Sequence, residues 1–364
     1  MSGSIVKTPD VVWWNYVFGP SLLVRETAGA LCEGKNVCLC LPNSLPWRNA
    51  FLEHVADAVR EVDESLLFEK MRDTPDNPGK YLVDHFGLGA SYRPTKKYAD
   101  FLRASRAFAG RVLCVTATED DAVRRWFEFE KDYKPSSVRD GLVLLETPTA
   151  LPGGVPGHVR VFVYDDFVSE YDTLVFAGLL LPDNRMGVEQ KKYLAALAVS
   201  LLGTDAENIA EFVKTFRLDR DDPEQSTLGI NSPDSPGDLS RRVWGAQVQT
   251  LFPLIMREYR EFIAEWRANV VDAFEYANST FPNGLLDTNQ DPVESPDSME
   301  LATIRYLMRK RRYYGDGETE DYILYIPDES ARVRIELLYE TRNLIAHGKV
   351  CPFEKVVRLL GLEH

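Results

Sequence analysis

The chain has 364 residues, 45% hydrophobic and 27% charged, which is enough for two domains with separate cores. Its formal net charge of -14 argues against broad binding to nucleic-acid backbones, which requires many lysines and arginines. The sequence lacks an apolar run of about eighteen residues and a leader-like basic and apolar start, so we expect a cytoplasmic protein without membrane contact.

Short apolar runs alternate with amphipathic stretches over the first two-thirds of the chain. This pattern predicts an α/β domain with a mainly parallel sheet over residues 1–217. The predicted strands are 36–41, 65–68, 111–116, 141–145 and 159–164. The predicted helices are 46–61, 94–108, 119–133, 172–181, 189–202 and 206–216.

A stretch rich in Asp, Pro, Ser and Gly, residues 218–238, predicts a linker, and an all-α domain is expected over residues 239–362. Its predicted elements are a helix over 239–276 that is kinked or stepped near Pro253, a helix over 298–314, a β-like insert over 321–327, and helices over 328–346 and 352–360. Residues 363–364 are interpreted as a tag remnant, which excludes His364 from chemistry.

The five cysteines lack the paired spacing of zinc ligands, and we interpret them as reduced core thiols. We expect no metal site and no cofactor.

The segment E340-T-R-N-L-I-A-H-G348 carries the residues that cleavage of RNA without a metal requires. His347 is able to move a proton near neutral pH, and Arg342 offers a planar fork that matches phosphate oxygens. Asn343 would position the phosphate or orient the imidazole. Apart from His364, His347 is the only histidine after His158.

This segment resembles the signature of the HEPN superfamily, a group of helical domains that recur in toxin-antitoxin, anti-phage and RNA-processing systems. The resemblance implies that Arg342, Asn343 and His347 form the catalytic site, usually duplicated across a homodimer. Residues five apart on a helix are rotated by about 140°. His347 should therefore lie at the helix end before Gly348, with a second subunit completing the cleft. The alternative is that Arg342, His347 and Lys349 only stabilise the helix C-terminus.

Positive charge concentrates in R305-Y-L-M-R-K-R-R-Y-Y314. Interleaved tyrosines are typical of a surface that neutralises phosphates and stacks bases. The predicted RNA-binding residues are Arg305, Arg309, Lys310, Arg311 and Arg312. The alternative is an ordinary solvated helix face.

In the first domain, a strand and a tight turn with Asn43 and Ser44 precede a helix, and a later strand ends in Asp165 and Asp166. This arrangement resembles a degenerate P-loop or STAND-like NTPase core. The glycines, the Lys and the Ser/Thr of a working P-loop are absent. These four residues are the candidate nucleotide ligands, with little or no ATP hydrolysis expected. Asp165 and Asp166 would otherwise only cap the next helix.

Two functions follow from these features. The first is a metal-independent HEPN-type endoribonuclease effector of a prokaryotic defence or toxin-antitoxin system, whose first domain senses or binds a protein partner. The second is a non-catalytic assembly protein with a degenerate nucleotide-binding fold and a helical dimerisation domain.

Overall fold

The computed structural model describes residues 7–41, 45–71, 75–147, 154–181, 186–223, 236–313 and 321–362. The chain forms two compact units. The first consists of residues 1–180 and 203–211, and the second of residues 181–202 and 212–364.

The first unit is built on a five-stranded parallel sheet in the order β2-β3-β4-β1-β5. Its strands are β1 (Val37–Cys40), β2 (Leu67–Met71), β3 (Arg111–Thr116), β4 (Leu142–Thr147) and β5 (Arg160–Val163). The central strands β1 and β4 are buried along their whole length, because helices cover both faces of a parallel sheet. The prediction of an α/β region with a parallel sheet is confirmed.

Helices connect and cover these strands. They are α1 (Pro9–Tyr16), α2 (Phe18–Cys32), α3 (Arg48–Arg60), α4 (Pro78–His85), α5 (Tyr98–Ser105), α6 (Asp120–Asp132), α7 (Tyr164–Phe167) and α8 (Glu170–Leu180). The sequence predictions omit α1, α2, α4 and α7. Helices α1 and α2 have little amphipathic character because their own apolar side chains are spread around the helix. Trp13 and Trp14 are buried in the core.

The second unit is largely helical. Its helices are α9 (Val188–Leu202), α11 (Pro236–Glu265), α12 (Arg267–Thr280), α13 (Leu301–Arg309), α14 (Glu329–Ala346) and α15 (Phe353–Leu359). Helix α10 (Ala206–Thr215) is divided, with residues 206–211 in the first unit and residues 212–215 in the second. Helix α9 lies within the predicted first domain, yet it packs against α11 in the second unit. The reason is its broad apolar surface, in which every residue from Tyr193 to Ala198 is buried.

Helix α11 runs through Pro253 without ending, and the break comes at Trp266, whose φ of -99° and ψ of 23° separate α11 from α12. The predicted step near Pro253 is therefore wrong in position. Packing of α11 against α9 and α14 offsets the hydrogen bond that a proline removes from a helix.

The helix predicted over 298–314 is shorter in the structure. A 3-10 turn (Pro296–Ser298) precedes α13, and the chain then enters strand β6 (Arg311–Arg312), which pairs antiparallel with β7 (Asp321–Tyr322). The predicted β-like insert contributes β7. The second unit thus contains a small β-ribbon in addition to its helices.

Candidate functional site

Helix α14 presents the Arg342 segment, and its start is fixed by a side-chain cap. Asp328 accepts hydrogen bonds from the backbone N–H groups of Ser330 and Ala331, at 2.8 and 3.4 Å. The Ser330 hydroxyl and these N–H groups lower the pKa of Asp328. The carboxylate therefore stays ionised at the positive end of the helix.

The end of α14 is a closed turn. Gly348 has the left-handed φ of +70°, and the N–H of Lys349 donates to the carbonyl of Leu344 at 2.9 Å. From α11, the Trp244 indole donates to the carbonyl of Ile345, and Gln247 exchanges two hydrogen bonds with the backbone of Cys351. These contacts hold His347, the last residue before the turn, on an anchored backbone.

Beside α14 lies an open cleft of about 610 Å³. Helix α11, the start of α12, the segment 297–302 and α14 form its walls. Its polar lining residues include Arg260, Arg267, Asp297, Glu300, Arg342 and Asn343. Apolar and aromatic residues complete the lining, among them Met256, Tyr259, Ile263, Met299 and Tyr339. A volume of this size is typical of a small-molecule or single-nucleotide site.

The cleft brings together two of the three predicted catalytic residues. Arg342 and Asn343 line it, and the Arg342 guanidinium donates to the Asn343 side-chain oxygen at 3.1 Å. His347 is exposed at the end of α14 and is not among the lining residues. One copy of the chain therefore presents the arginine and the histidine on different faces, as their five-residue spacing predicts.

The charges inside the cleft divide into paired and unpaired groups. Arg267 forms a two-pronged ion pair with Asp297, which raises the pKa of Arg267 and lowers that of Asp297. Glu300 accepts a hydrogen bond from the Thr288 hydroxyl at 2.7 Å. Within the described part of the chain, neither Arg260 nor Arg342 pairs with a carboxylate. Sequence reasoning missed Arg260, because its position in the cleft depends on how α11 packs against α14.

The predicted RNA-binding run is partly neutralised. Arg305 and Arg309 both donate to Glu336, and Arg312 donates to Asp272 at 2.6 Å. Arg311 lies 4.2 Å above the Tyr322 ring. Lys310 and Arg311 are exposed, and no carboxylate pairs with them among the residues that the structure describes. The run is a helix end followed by a strand, and two of its five cations remain available to a ligand.

A second charged cluster lies in the first unit, at the carboxyl ends of the central strands of the sheet. Glu146 of β4 stands in register between Leu39 of β1 and Thr116 of β3 and is 2% exposed. Arg48 forms an ion pair with Glu146 and donates to the Thr116 hydroxyl at 2.6 Å. Burial raises the pKa of Glu146, and Arg48 partly opposes that shift.

Arg48 owes its position to the turn before α3. Trp47 adopts a left-handed conformation with φ of 42°, and its N–H donates to Glu207 at 2.6 Å. Helix α3 therefore starts at Arg48, which directs this side chain along the ends of the strands. The sequence reasoning missed Glu146, although a glutamate that closes the apolar run L142-V-L-L145 is a usable signal.

Of the predicted nucleotide ligands, Asp165 and Asp166 are not adjacent to Glu146 on the sheet. Asp165 and Asp166 are exposed in the four-residue helix α7, which follows the edge strand β5. Asn43 and Ser44 lie outside the described residues. Nucleotide binding by these four residues stays a prediction.

Among the described residues, no cluster of His, Cys, Asp and Glu has an arrangement that would hold a metal ion. Within the same ranges, no helix combines the length and the apolar character needed to cross a membrane. All five cysteines are free, and four of them, Cys38, Cys40, Cys114 and Cys351, are buried.

Comparisons with known proteins give little beyond this description. No family model matches the chain, and no curated protein matches it. Among solved structures, the chain is similar to a DNA polymerase III gamma subunit-related protein from Thermotoga maritima. The identity is 12% and the TM-score 0.29, over 94% of this chain and 97% of that chain. A likeness of this strength carries no argument about function.

Proposed function

We propose that the protein is a metal-independent endoribonuclease of the HEPN type, with Arg342, Asn343 and His347 as its catalytic residues. One observation carries the proposal. Arg342 and Asn343 line an open cleft in which Arg342 has no carboxylate partner among the described residues, and His347 is held on a capped turn of the same helix.

The chemistry requires a proton carrier and a cation. The 2'-hydroxyl of the substrate attacks the neighbouring phosphorus, and the bond from phosphorus to the 5'-oxygen breaks. The products carry a 2',3'-cyclic phosphate and a 5'-hydroxyl. His347 takes the proton of the attacking hydroxyl or gives one to the leaving oxygen, and Arg342 stabilises the negative charge on the phosphoryl oxygens. Asn343 holds the Arg342 guanidinium through its side-chain oxygen.

A homodimer completes the site in this proposal. Because His347 is outside the cleft that Arg342 lines, a second copy related by a two-fold axis would supply the histidine to each cleft. The shape of α14 supports this arrangement, since its capped end keeps His347 exposed and fixed.

The test is RNA cleavage by the purified protein in the presence of EDTA. We expect products with 2',3'-cyclic phosphate ends, and we expect His347→Ala to lower the rate by a factor of about 10² to 10⁴. Lys349→Ala is the matched control, because Lys349 is exposed on the same turn and serves no step of the reaction. Cleavage that requires a divalent metal, or that survives in His347→Ala, contradicts the proposal.

We place this activity in the cytoplasm, where five unpaired thiols remain reduced. The biological setting that we propose is a prokaryotic defence or toxin-antitoxin system. The first unit would bind a protein partner that controls the nuclease, and the acidic net charge of -14 favours a basic partner.

The second candidate is a non-catalytic assembly protein. One observation favours it. At the carboxyl ends of the central strands in the first unit, Arg48 already contacts Glu146 and Thr116, so it is not available to a nucleotide phosphate. In that case the wild type would leave RNA intact, and His347→Ala would be indistinguishable from it in the cell. The EDTA experiment therefore separates the two functions.

A further inference from the structure

The cleft beside α14 has an uneven distribution of charge along helix α11. Arg257 pairs with Glu189 at 3.1 Å and approaches Glu261 at 3.8 Å. Arg260, three residues later, is exposed in the cleft and pairs with no carboxylate among the described residues. The same helix thus carries one neutralised and one available guanidinium, and only the available one lines the cleft.

Arg342 adds a second available guanidinium on the facing helix. Within the described ranges its guanidinium hydrogen-bonds to the neutral Asn343 side chain and pairs with no carboxylate. Arg267 is occupied by Asp297. Two arginines that lack a carboxylate in one cleft are the arrangement that a phosphate group satisfies, because each guanidinium fork matches phosphate oxygens.

The rest of the lining suits a base and a ribose. Met256, Ile263, Met299 and Leu301 form an apolar part of the wall, and Tyr339 contributes a ring whose other contacts include Arg305 at 4.3 Å. The volume of about 610 Å³ accommodates a nucleotide but not a duplex. Bases reach such a cleft only when they are unpaired and unstacked.

We infer that this cleft binds one nucleotide of single-stranded RNA, with Arg260 and Arg342 holding its phosphate and the apolar wall contacting its base. The inference rests on the proposed nuclease function and adds Arg260 to it as a phosphate-binding residue. The substrate class is then single-stranded RNA, and base-paired RNA is excluded by the size of the cleft.

The experiment measures fluorescence anisotropy of a labelled, fully 2'-O-methylated single-stranded RNA. This probe lacks the attacking hydroxyl, so binding is measured without cleavage. We expect Arg260→Gln to weaken binding about tenfold, as the loss of a charge-assisted hydrogen bond implies. The slope of log K against log salt should become shallower by about 0.7. Arg257→Gln is the matched control and should bind as the wild type does.

Three results would overturn the inference. The first is that Arg260→Gln and Arg257→Gln bind the single-stranded RNA equally well. The second is that an RNA duplex of the same length binds as tightly as the single strand. The third is that 5'-AMP displaces the RNA completely at concentrations equal to that of the RNA. The last result identifies a free-nucleotide site. Arg260→Lys keeps the charge and should recover part of the affinity, which separates phosphate binding from loss of folding.

Cleavage of unmodified RNA, measured in parallel, distinguishes this inference from the function on which it rests. Binding that depends on Arg260 without any cleavage supports the RNA site and contradicts the nuclease. Cleavage that is indifferent to Arg260→Gln leaves the nuclease standing and contradicts the assignment of Arg260.

Discussion

The two units place arginines in opposite surroundings. At the carboxyl ends of the central strands, Arg48 lies against the buried Glu146 and the Thr116 hydroxyl. In the cleft of the helical unit, Arg260 and Arg342 have no carboxylate partner among the described residues. The carboxylate that packs nearby therefore distinguishes an arginine that stabilises the fold from one that is available to an anionic ligand.

The largest effect should come from exchanging each kind of arginine for glutamine. Arg342→Gln removes the cation that faces the reacting phosphate, and we expect kcat/KM for RNA cleavage to fall by a factor of about 10² to 10³. Arg48→Gln should leave kcat/KM unchanged at a temperature where circular dichroism shows the variant to be folded. Equal losses in both variants would remove the distinction between the two sites.

Glu130 sharpens the comparison because it is a fully buried carboxyl group with no cation paired to it in the described ranges. Burial raises its pKa from 4.5 to about 8. The folded state therefore holds a proton that the unfolded state releases, and stability falls as the pH rises from the unfolded pKa toward the folded one.

Glu130→Gln removes this penalty. Relative to wild type, we expect the variant to gain on the order of 3 kcal/mol of stability between pH 4.5 and pH 7, and little more above pH 8. Urea denaturation across this pH range measures the difference. A wild type whose stability is as flat with pH as that of the variant would show that Glu130 titrates normally in the folded state.

Glu146→Gln tests whether the ion pair between Arg48 and Glu146 stabilises the fold. Removing one partner of a buried pair is costly, but the Arg48 side chain is 34% exposed and burial already disfavours the charged form of Glu146, so we expect a loss of only roughly 2 kcal/mol. Faster hydrogen exchange in the peptide that covers β4 is the local measure of this loss.

Asp297→Asn breaks the exposed Arg267 pair and serves as the comparison, with a much smaller expected loss because solvent screens this pair. An equal loss of stability in Glu146→Gln and Asp297→Asn would show that burial does not increase the contribution of the Arg48–Glu146 pair to stability.

The smallest effect concerns the basic run after α13. The double variant Lys310→Gln and Arg311→Gln removes the two cations of this run that lack a carboxylate within the described chain. We expect RNA affinity to fall by roughly fivefold, because each cation contributes one screened phosphate contact. The cleavage rate at saturating RNA should not change, and a lower saturating rate would place these residues in the reaction instead.

Much of the fold follows from local patterns. The apolar runs predict β1, β3, β4 and β5 closely, and Gly348 predicts the C-terminal end of α14. The predicted strand 65–68 lies too early, because the observed β2 (Leu67–Met71) is an edge strand with only one buried residue. Edge strands lack the continuous apolar pattern on which such predictions depend.

Local sequence patterns do not predict which charged side chains pair with one another. Arg48 and Glu146 are 98 residues apart, and Arg334 meets Glu258 across 76 residues. Such pairs depend on how elements pack, so the sequence supplied Arg342, Asn343 and His347 as candidates but could not assign Arg260 to the same cleft. The position of His347 outside the cleft agrees with simple helix geometry.

The most direct test of a site shared between two copies is a mixed dimer. Arg342→Ala and His347→Ala chains with different tags are co-expressed, and the heterodimer is isolated and assayed for RNA cleavage in EDTA. If each site takes Arg342 from one copy and His347 from the other, the heterodimer retains one intact site and about half of the wild-type activity. A heterodimer as inactive as either parent, alongside an active wild type, would contradict the shared site.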